Sequence, residues 1–255
     1  MEYYEVFHNI EENEEIKKYK QDLTKQVEKL VVEVFPRQMV ELGQLLETER
    51  FNVTDLSVFH SDLRIPSPAD INGSPPDNPP AKRKRTVSDT LNDTATPVGT
   101  KQAPLFKGYV PSNPKLVEIV DCLKPKIIDT MNRCNTIKVW IQLRIPKIED
   151  GNNFGVSIQE DILAEVSKAE ADSAKFMEQI SRYFSVRAKL VSKAAKYPHL
   201  DDYRRGINEY DEKVFLSFKI MLMELRNIYA ILYDVIIKNF EKIKQPRSSH
   251  ANSLY

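Results

Sequence analysis

Apolar side chains recur at a helical period in the first fifty residues of the chain. Between about residues 10 and 50 they return at spacings of three and four, which places them on one face of an α-helix. This face comprises Ile16, Tyr19, Leu23, Val27, Leu30 and Val34. Pro36 lacks a backbone N–H, so it predicts that this helix ends or kinks near Phe35. The helical pattern then resumes with Val40, Leu42, Leu45 and Leu46.

Three longer helices are predicted in the second half of the chain, at about 114–144, 157–196 and 201–243. Their apolar faces are, in chain order, Leu116, Ile119, Val120, Leu123, Ile127, Met131, Cys134 and Ile137; Ile158, Ile162, Val166, Ala169, Phe176, Ile180 and Phe184; and Phe218, Leu222, Leu225, Tyr229, Leu232, Ile236 and Phe240. Pro114 suits a first helical turn, whereas Pro125 predicts a kink inside the first of these helices.

The last helix carries a second apolar face, which a single bundle core does not require. Its members are Val214, Met221, Ile228, Ile231 and Val235. Because a helix that is apolar on two sides is buried on two sides, the pattern predicts contact between subunits. Helices of nearly 40 residues would extend about 60 Å at 1.5 Å per residue. The predicted fold is therefore all-α: an elongated four-helix bundle subunit that forms an oligomer.

Prolines divide this bundle into two parts. Ten of the fifteen prolines lie between Pro66 and Pro114, among many small polar residues. Such a composition buries too little apolar surface to offset the entropy of ordering, so residues 64–104 are predicted to be a flexible linker between helices 1 and 2. Residues 1–63 then form the N-terminal helical region, and residues 105–255 supply the other three helices and complete the bundle.

Composition excludes several classes of function. The 37 Lys+Arg balance the 37 Asp+Glu, so a uniformly basic nucleic-acid-binding protein is not expected. Two cysteines cannot build a disulfide-rich scaffold, and neither a signal peptide nor a membrane span is apparent. Motifs for phosphate, dinucleotide, zinc-protease or serine-hydrolase sites are missing. We therefore expect a soluble intracellular protein that is not an enzyme and has no metal or cofactor.

One local excess of positive charge lies in the predicted linker. Lys82, Arg83, Lys84 and Arg85 follow Pro79-Pro80-Ala81. Four adjacent cations in an accessible segment are typical of a nuclear import signal, which predicts an import receptor as partner and a nuclear location that can extend to the cytoplasm. The alternative is a run of charges that only keeps the linker solvated.

The connection between the second and third helices is longer than two antiparallel helices require. It runs from Pro146 to Val156 and contains two of the seven glycines. Asn and Gly tolerate positive φ, so this tip of the bundle can hold an unusual, defined backbone. The segment 150–161 partly imitates a calcium-binding loop, but Phe154 stands where an oxygen ligand is needed. An ordinary turn and a functional contact surface both remain open.

Two other segments are candidates for binding. Arg182, Lys189, Lys193 and Lys196 fall near one face of the third helix, either as solvated cations near its C-terminus or as a basic ring if copies assemble with this face inward. The chain leaves its last helix at Pro246 and ends in Leu254-Tyr255 with a carboxylate. Such a tail either frays or is captured by a pocket on a partner.

The sequence also resembles a known family. The run from Arg144 to Glu160, R-I-P-K-I-E-D-G-N-N-F-G-V-S-I-Q-E, is similar to the activation loop of the eleven-S (REG) proteasome activators. Residues 189–193, 196–199, 202–205 and 244–249 also resemble this family, as does Leu254-Tyr255. The resemblance covers nearly the whole chain and is dense from about residue 110 onward. The linker with its basic cluster resembles the gamma-type subunit, which is nuclear and forms homo-oligomers.

This resemblance implies a heptameric ring that caps the α-ring of the proteasome core particle and opens its gate without nucleotide. Docking would fall to the tail residues Ser253, Leu254 and Tyr255. Gate opening would fall to the activation loop, which is Lys147, Ile148, Glu149, Asp150, Gly151, Asn152, Asn153, Phe154 and Gly155. Asn152 aligns with the family residue that acts in opening. Lys147 replaces an arginine of the family, which keeps the charge and loses any bidentate contact.

The basic face at Arg182, Lys189 and Lys193 would then line the pore of the ring. The alternative function is a nuclear helical oligomer that binds other proteins as a scaffold and does not activate a proteasome. A calcium-binding helix–loop–helix protein comes after it.

Overall fold

The described chain consists of helices and their connections. The computed structural model describes residues 13–61, 63, 109–147, 151 and 153–247. The elements are α1 (Glu14–Lys29), a π-helical turn (Leu30–Val34), α2 (Phe35–Leu46), a 3-10 turn (Leu56–Phe59), α3 (Pro114–Gln142), α4 (Phe154–Lys196) and α5 (Asp201–Lys244). These ranges contain no strand, which confirms the all-α prediction. The predicted linker at 64–104 lies outside the described residues.

The first helical rod does not end at Pro36. The π-helical turn joins α1 to α2, and the Phe35 N–H donates to the Leu30 carbonyl, five residues earlier. In a regular α-helix the proline ring would crowd the carbonyl four residues before it and leave that carbonyl unbonded. The wider turn immediately before Pro36 accommodates this conflict.

The π turn also changes which side chains enter the core. The buried positions are Leu23, Val27, Val31 and Phe35, each four residues after the last. The predicted face is therefore correct at Leu23 and Val27 and shifts by one residue after them. Its first members are wrong, because Ile16 is 49% exposed and Tyr19 is 51% exposed.

The remaining helices form the rest of the bundle. Helix α4 packs against both α3 and α5, while α2 packs along α5 and α1 packs against α3. Helix α3 continues without interruption through Pro125. Pro125 and Asp121, whose carbonyl loses its partner, are both exposed, so water can bond to that carbonyl. None of the described helices is both long and apolar enough to cross a membrane.

Helix α5 is the helix at the centre of the core. From Phe218 to Ile236 its predicted apolar face is buried, which confirms the spacing argument. The second face is divided: Val214 and Met221 join the core, whereas Ile231 is 52% exposed. Helices α4 and α5 contain 43 and 44 residues, or about 65 Å each at 1.5 Å per residue. The elongated bundle that the sequence predicts is confirmed.

Candidate functional site

The connection between α3 and α4 lies at one end of the bundle. Of the predicted activation loop, the structure describes Lys147, Gly151, Asn153, Phe154 and Gly155. The other members, Ile148, Glu149, Asp150 and Asn152, lie outside the described residues. Gly151 has φ +84°, a left-handed conformation that glycine adopts without strain. The expectation of positive φ in this connection is confirmed at that residue.

Helix α4 begins earlier than predicted, at Phe154 and not near Ser157. Phe154 and Gly155 are therefore helical, and Phe154 is 73% exposed at the end of the bundle. The Ser157 N–H donates to the Asn153 carbonyl at 2.9 Å, which closes this first turn. A helix from Phe154 onward is also incompatible with the calcium-binding loop that residues 150–161 imitate.

The end of α5 lies directly against the start of α4. A Cβ atom built on Gly155 would stand 1.9 Å from the Pro246 carbonyl oxygen and 2.7 Å from the Pro246 Cα. Only a residue without a side chain permits this approach of two backbones. Arg247 adds a polar contact, because its Nη2 donates to Asn153 Oδ1 at 3.3 Å. The start of the tail at Pro246 and Arg247, which we call the tail root, is thus in contact with the end of the loop at Asn153 and Gly155.

A buried glutamine joins the same two segments, and sequence analysis missed it. Gln159 is fully buried and donates from Nε2 to the carbonyls of Arg144, at 3.1 Å, and Ile243, at 2.8 Å. Arg144 follows α3, and Ile243 lies in the last turn of α5. The only sequence signal is its position one turn after Gly155 on the same face of α4.

Helix α1 holds this end of the bundle from the other side. Arg144 Nη2 donates to Thr24 Oγ1 at 2.6 Å, and Lys244 Nζ lies 3.3 Å from Glu28 Oε1. The Arg144 guanidinium stacks over the Trp140 ring at 5.2 Å. Burial lowers the pKa of Arg144, and the charge of Glu28 opposes that shift. Arg144, which we call the loop root, therefore contacts α1 through Thr24, α3 through Trp140 and α4 through Gln159.

The predicted basic face lies on the outside of the subunit. Arg182, Lys189 and Lys193 are all exposed. Arg182 borders a groove of about 530 Å³ between α4 and α5, together with Tyr210 and Lys213. Within the subunit these cations are accessible to a ligand.

Arg187, a fifth cation of the same segment, is instead buried in a polar cluster. Its Nε donates to both Asp211 oxygens at 3.1 Å, its Nη1 to the Pro111 carbonyl and its Nη2 to Ser61 Oγ. Asn113 donates to the Phe59 carbonyl at 2.7 Å and to Asp211 at 2.9 Å. Residues 59–61 and 111–113 therefore meet at one point, around Arg187 and Asp211.

The other predicted sites lie outside the described residues. These are the tail residues Ser253, Leu254 and Tyr255 and the basic cluster Lys82, Arg83, Lys84 and Arg85.

The described geometry defines a class of protein. The protein is an elongated helical subunit. At one end, the loop between α3 and α4 lies beside the segment that follows α5, and such a paired surface suits binding to another protein. Residues 109–253 match the family described as Proteasome activator PA28, C-terminal, and residues 10–70 match Proteasome activator PA28, N-terminal.

Individual relatives support this assignment. The chain is 45% identical to Homo sapiens Proteasome activator complex subunit 3 over 240 residues, 93% of each chain. A crystal structure of the 11S subunit PA28 of the Plasmodium falciparum proteasome has a TM-score of 0.68 and 31% identity, over 92% of this chain and 95% of that one. A P26 activator solved in complex with an archaeal 20S proteasome shares the fold alone, with a TM-score of 0.52 and 19% identity over 57% of this chain and 73% of that chain.

The chain therefore belongs to the PA28 proteasome activator family. The resemblance to this activator family noted in the sequence is confirmed, and so is the greater similarity to the gamma-type subunit. Family members are named as activator subunits, so the chain is a regulator of proteolysis and not an enzyme, as predicted.

Proposed function

We propose that this chain docks on the α-ring of the proteasome core particle through its C-terminal tail and opens the gate with the 147–155 loop. The observation that carries the proposal is the contact of Gly155 with Pro246, which brings the roots of loop and tail together at one end of an elongated bundle. A tail captured by the core particle places the neighbouring loop over the same surface. The P26 activator, which shares this fold, was solved in complex with an archaeal 20S proteasome, and this supports a 20S core particle as the partner.

Gate opening needs no covalent chemistry from the activator. The loop opens the gate by contacting its open conformation better than its closed one, because a ligand with equal affinity for both shifts nothing. Several tails on one oligomer bind with avidity, so each tail can be weak.

The oligomer in this proposal is a homoheptameric ring. Support comes from apolar side chains that α5 leaves exposed on the face opposite the core, namely Leu216, Ile220, Met223 and Ile231. A second copy of the chain would cover them. With the exposed face of α4 turned inward, Arg182, Lys189 and Lys193 line the pore.

The location in this proposal is the nucleus, reached through an import receptor that binds Lys82–Arg85. Its support is the run of four cations itself. Replacing all four with alanine in a fluorescent fusion should leave the ring intact and lose nuclear accumulation. Unchanged accumulation would overturn the assignment.

A fluorogenic-peptide assay with purified core particle tests the main proposal, paired with native mass of the activator. We expect ATP-free stimulation of hydrolysis and a mass of seven subunits. A stable oligomer that neither binds nor stimulates the core particle would favour the nuclear scaffold instead.

A further inference from the structure

One buried side chain bonds to both segments that the proposed function uses. Gln159 Nε2 donates to the Arg144 carbonyl, three residues before the loop, and to the Ile243 carbonyl, where the tail is about to leave α5. Both neighbours can only accept, so the amide nitrogen and not its oxygen must face them. One amide group thus bonds to the segment before the loop and to the segment before the tail.

The amide of Gln159 stays at this position although its own hydrogen bonding is incomplete. Gln159 is fully buried, and its Oε1 has no hydrogen-bond partner among the described residues. A buried acceptor without a partner disfavours folding. An apolar side chain of the same length would remove this orphaned oxygen, but it would also take the donor away from the Arg144 and Ile243 carbonyls. What the amide adds is a fixed relation between two backbone segments.

Two further contacts make this joint between loop and tail stiff. Gly155, one turn before Gln159, touches the Pro246 backbone, and Arg247 bonds to Asn153 at 3.3 Å. The C-terminal side of the loop, its N-terminal side and the root of the tail are therefore held to each other. A change in the angle of the tail root must move the loop, because close-packed groups transmit displacement.

We propose that Gln159 is a positioning residue that couples tail docking to the placement of the activation loop. This inference rests on the proposed function. Capture of the tail fixes the end of α5, and Gln159 carries that orientation to Arg144 and the loop. Without the amide, tails still bind the core particle, but the loop is no longer held where it can favour the open gate.

Gln159→Met tests the coupling, because methionine keeps the length and removes both donors. Thr130→Val is the matched control: it removes a buried hydroxyl that bonds to the Lys126 carbonyl and Tyr229 in the middle of the bundle. The full-length oligomer is titrated into core particle, and binding and maximal peptide hydrolysis are measured separately. Gln159→Asn serves as a second variant, since it keeps an amide that is one methylene too short to span both carbonyls.

For both Gln159 variants we expect half-saturation within about threefold of wild type and maximal stimulation reduced at least about fivefold. Thr130→Val should change neither. Equal behaviour of Gln159→Met and Thr130→Val, or a parallel loss of binding and stimulation, would overturn the coupling.

Hydrogen exchange in the free oligomer decides the question without the core particle. Pro246→Gly, which loosens the tail root, should speed exchange of the backbone amides of Arg144, Ile145 and Lys147 in an otherwise wild-type chain and add nothing in a Gln159→Met chain. Equal acceleration in both backgrounds would refute the coupling. Failure of the wild-type protein to stimulate the core particle would refute the proposed function and leave this measurement valid.

Discussion

Asp211 is a fully buried carboxylate that accepts hydrogen bonds from Arg187, Asn113 and Tyr183. A charge without water is tolerated only when paired and hydrogen-bonded on most sides. The bonds of this cluster also reach residues 59–61 and 111. Single residues here determine where residues 59–61 meet residue 111.

Asp211→Asn should destabilise the bundle by about 3–5 kcal/mol, because it leaves the Arg187 guanidinium buried without its counter-charge. Urea denaturation gives the free energy of unfolding. Glu209→Gln is the control: Glu209 pairs with Arg205 on the same helix at 3.6 Å, but both side chains are exposed. It should cost at most about 1 kcal/mol. Similar losses for the two variants would contradict the role of the cluster.

Alkaline pH should destabilise the fold through buried thiol and phenol groups. Burial, helped by the charge of Glu170, raises the pKa of Cys134 from 9.0 to about 12. Burial raises the pKa of Tyr183, with Asp211 adding to the shift, and burial also raises that of Tyr229. In the unfolded chain these groups lose their protons at lower pH, so ionisation favours unfolding.

Stability from these groups is therefore full below about pH 9 and falls as pH rises toward the folded-state values. Urea midpoints measured at increasing pH should decline in that window, and Cys134→Ala should make the decline shallower. A midpoint that stays constant above pH 9 would show that these groups ionise equally in the folded and unfolded chains.

Among the elements, the first turn of α4 depends most on its surroundings. It begins at Phe154 because Gly155 packs against Pro246 and Gln159 bonds to two carbonyls, all contacts with residues distant in sequence. The helical period of α5 shows its buried face in the sequence, since one apolar side chain recurs each turn. No local sequence pattern shows that residue 155 must be glycine because the backbone of Pro246 packs against it.

The first helical rod, Glu14–Leu46, was also only partly predictable from the sequence. Pro36 indicated an irregularity near Phe35, and the structure has one there. Its form, a π turn that carries burial from Val27 to Val31 and Phe35, was not predictable from spacing. A regular 3.6-residue period places Leu30 and Val34 inward, whereas one extra residue in a turn rotates every later side chain.

Gly155→Ala should destabilise the subunit, because its methyl group would overlap the Pro246 carbonyl and force the tail root away from α4. Gly206→Ala in α5 is the matched control. Its Cβ would meet nothing within 4 Å, so helix propensity alone should stabilise the protein by up to about 1 kcal/mol. Opposite shifts in thermal midpoint are expected. A stabilising effect of both changes would show that the Gly155 contact is not tight.

At the scale of the whole molecule, the bundle separates two sites. From Gly155 to Arg187 the chain runs through α4 for about 48 Å at 1.5 Å per residue. Gly155 and Pro246 lie at one end, and Ser61 and Pro111 lie beside Arg187 at the other. The basic face at Lys189 and Lys193 belongs to this second end, far from the surface that would contact the core particle.

Lys189→Glu should leave oligomerisation and binding to the core particle unchanged and alter which fluorogenic peptides are cleaved faster. If the basic face lines the pore as proposed, a reversed charge there attracts different peptides. Lys219→Glu, which reverses a lysine of α5 outside the basic face, is the comparison. An identical peptide profile for Lys189→Glu and wild type would contradict the proposal that the basic face lines the pore.

The most direct test separates docking from gate opening in one titration of core particle with wild-type oligomer, Asn152→Tyr and a chain lacking Leu254-Tyr255. Asn152→Tyr should bind with wild-type affinity and compete with wild type while giving no stimulation of peptide hydrolysis. The truncated chain should form intact rings that do not bind. Full stimulation by bound Asn152→Tyr, or capture of core particle by truncated rings, would contradict the account.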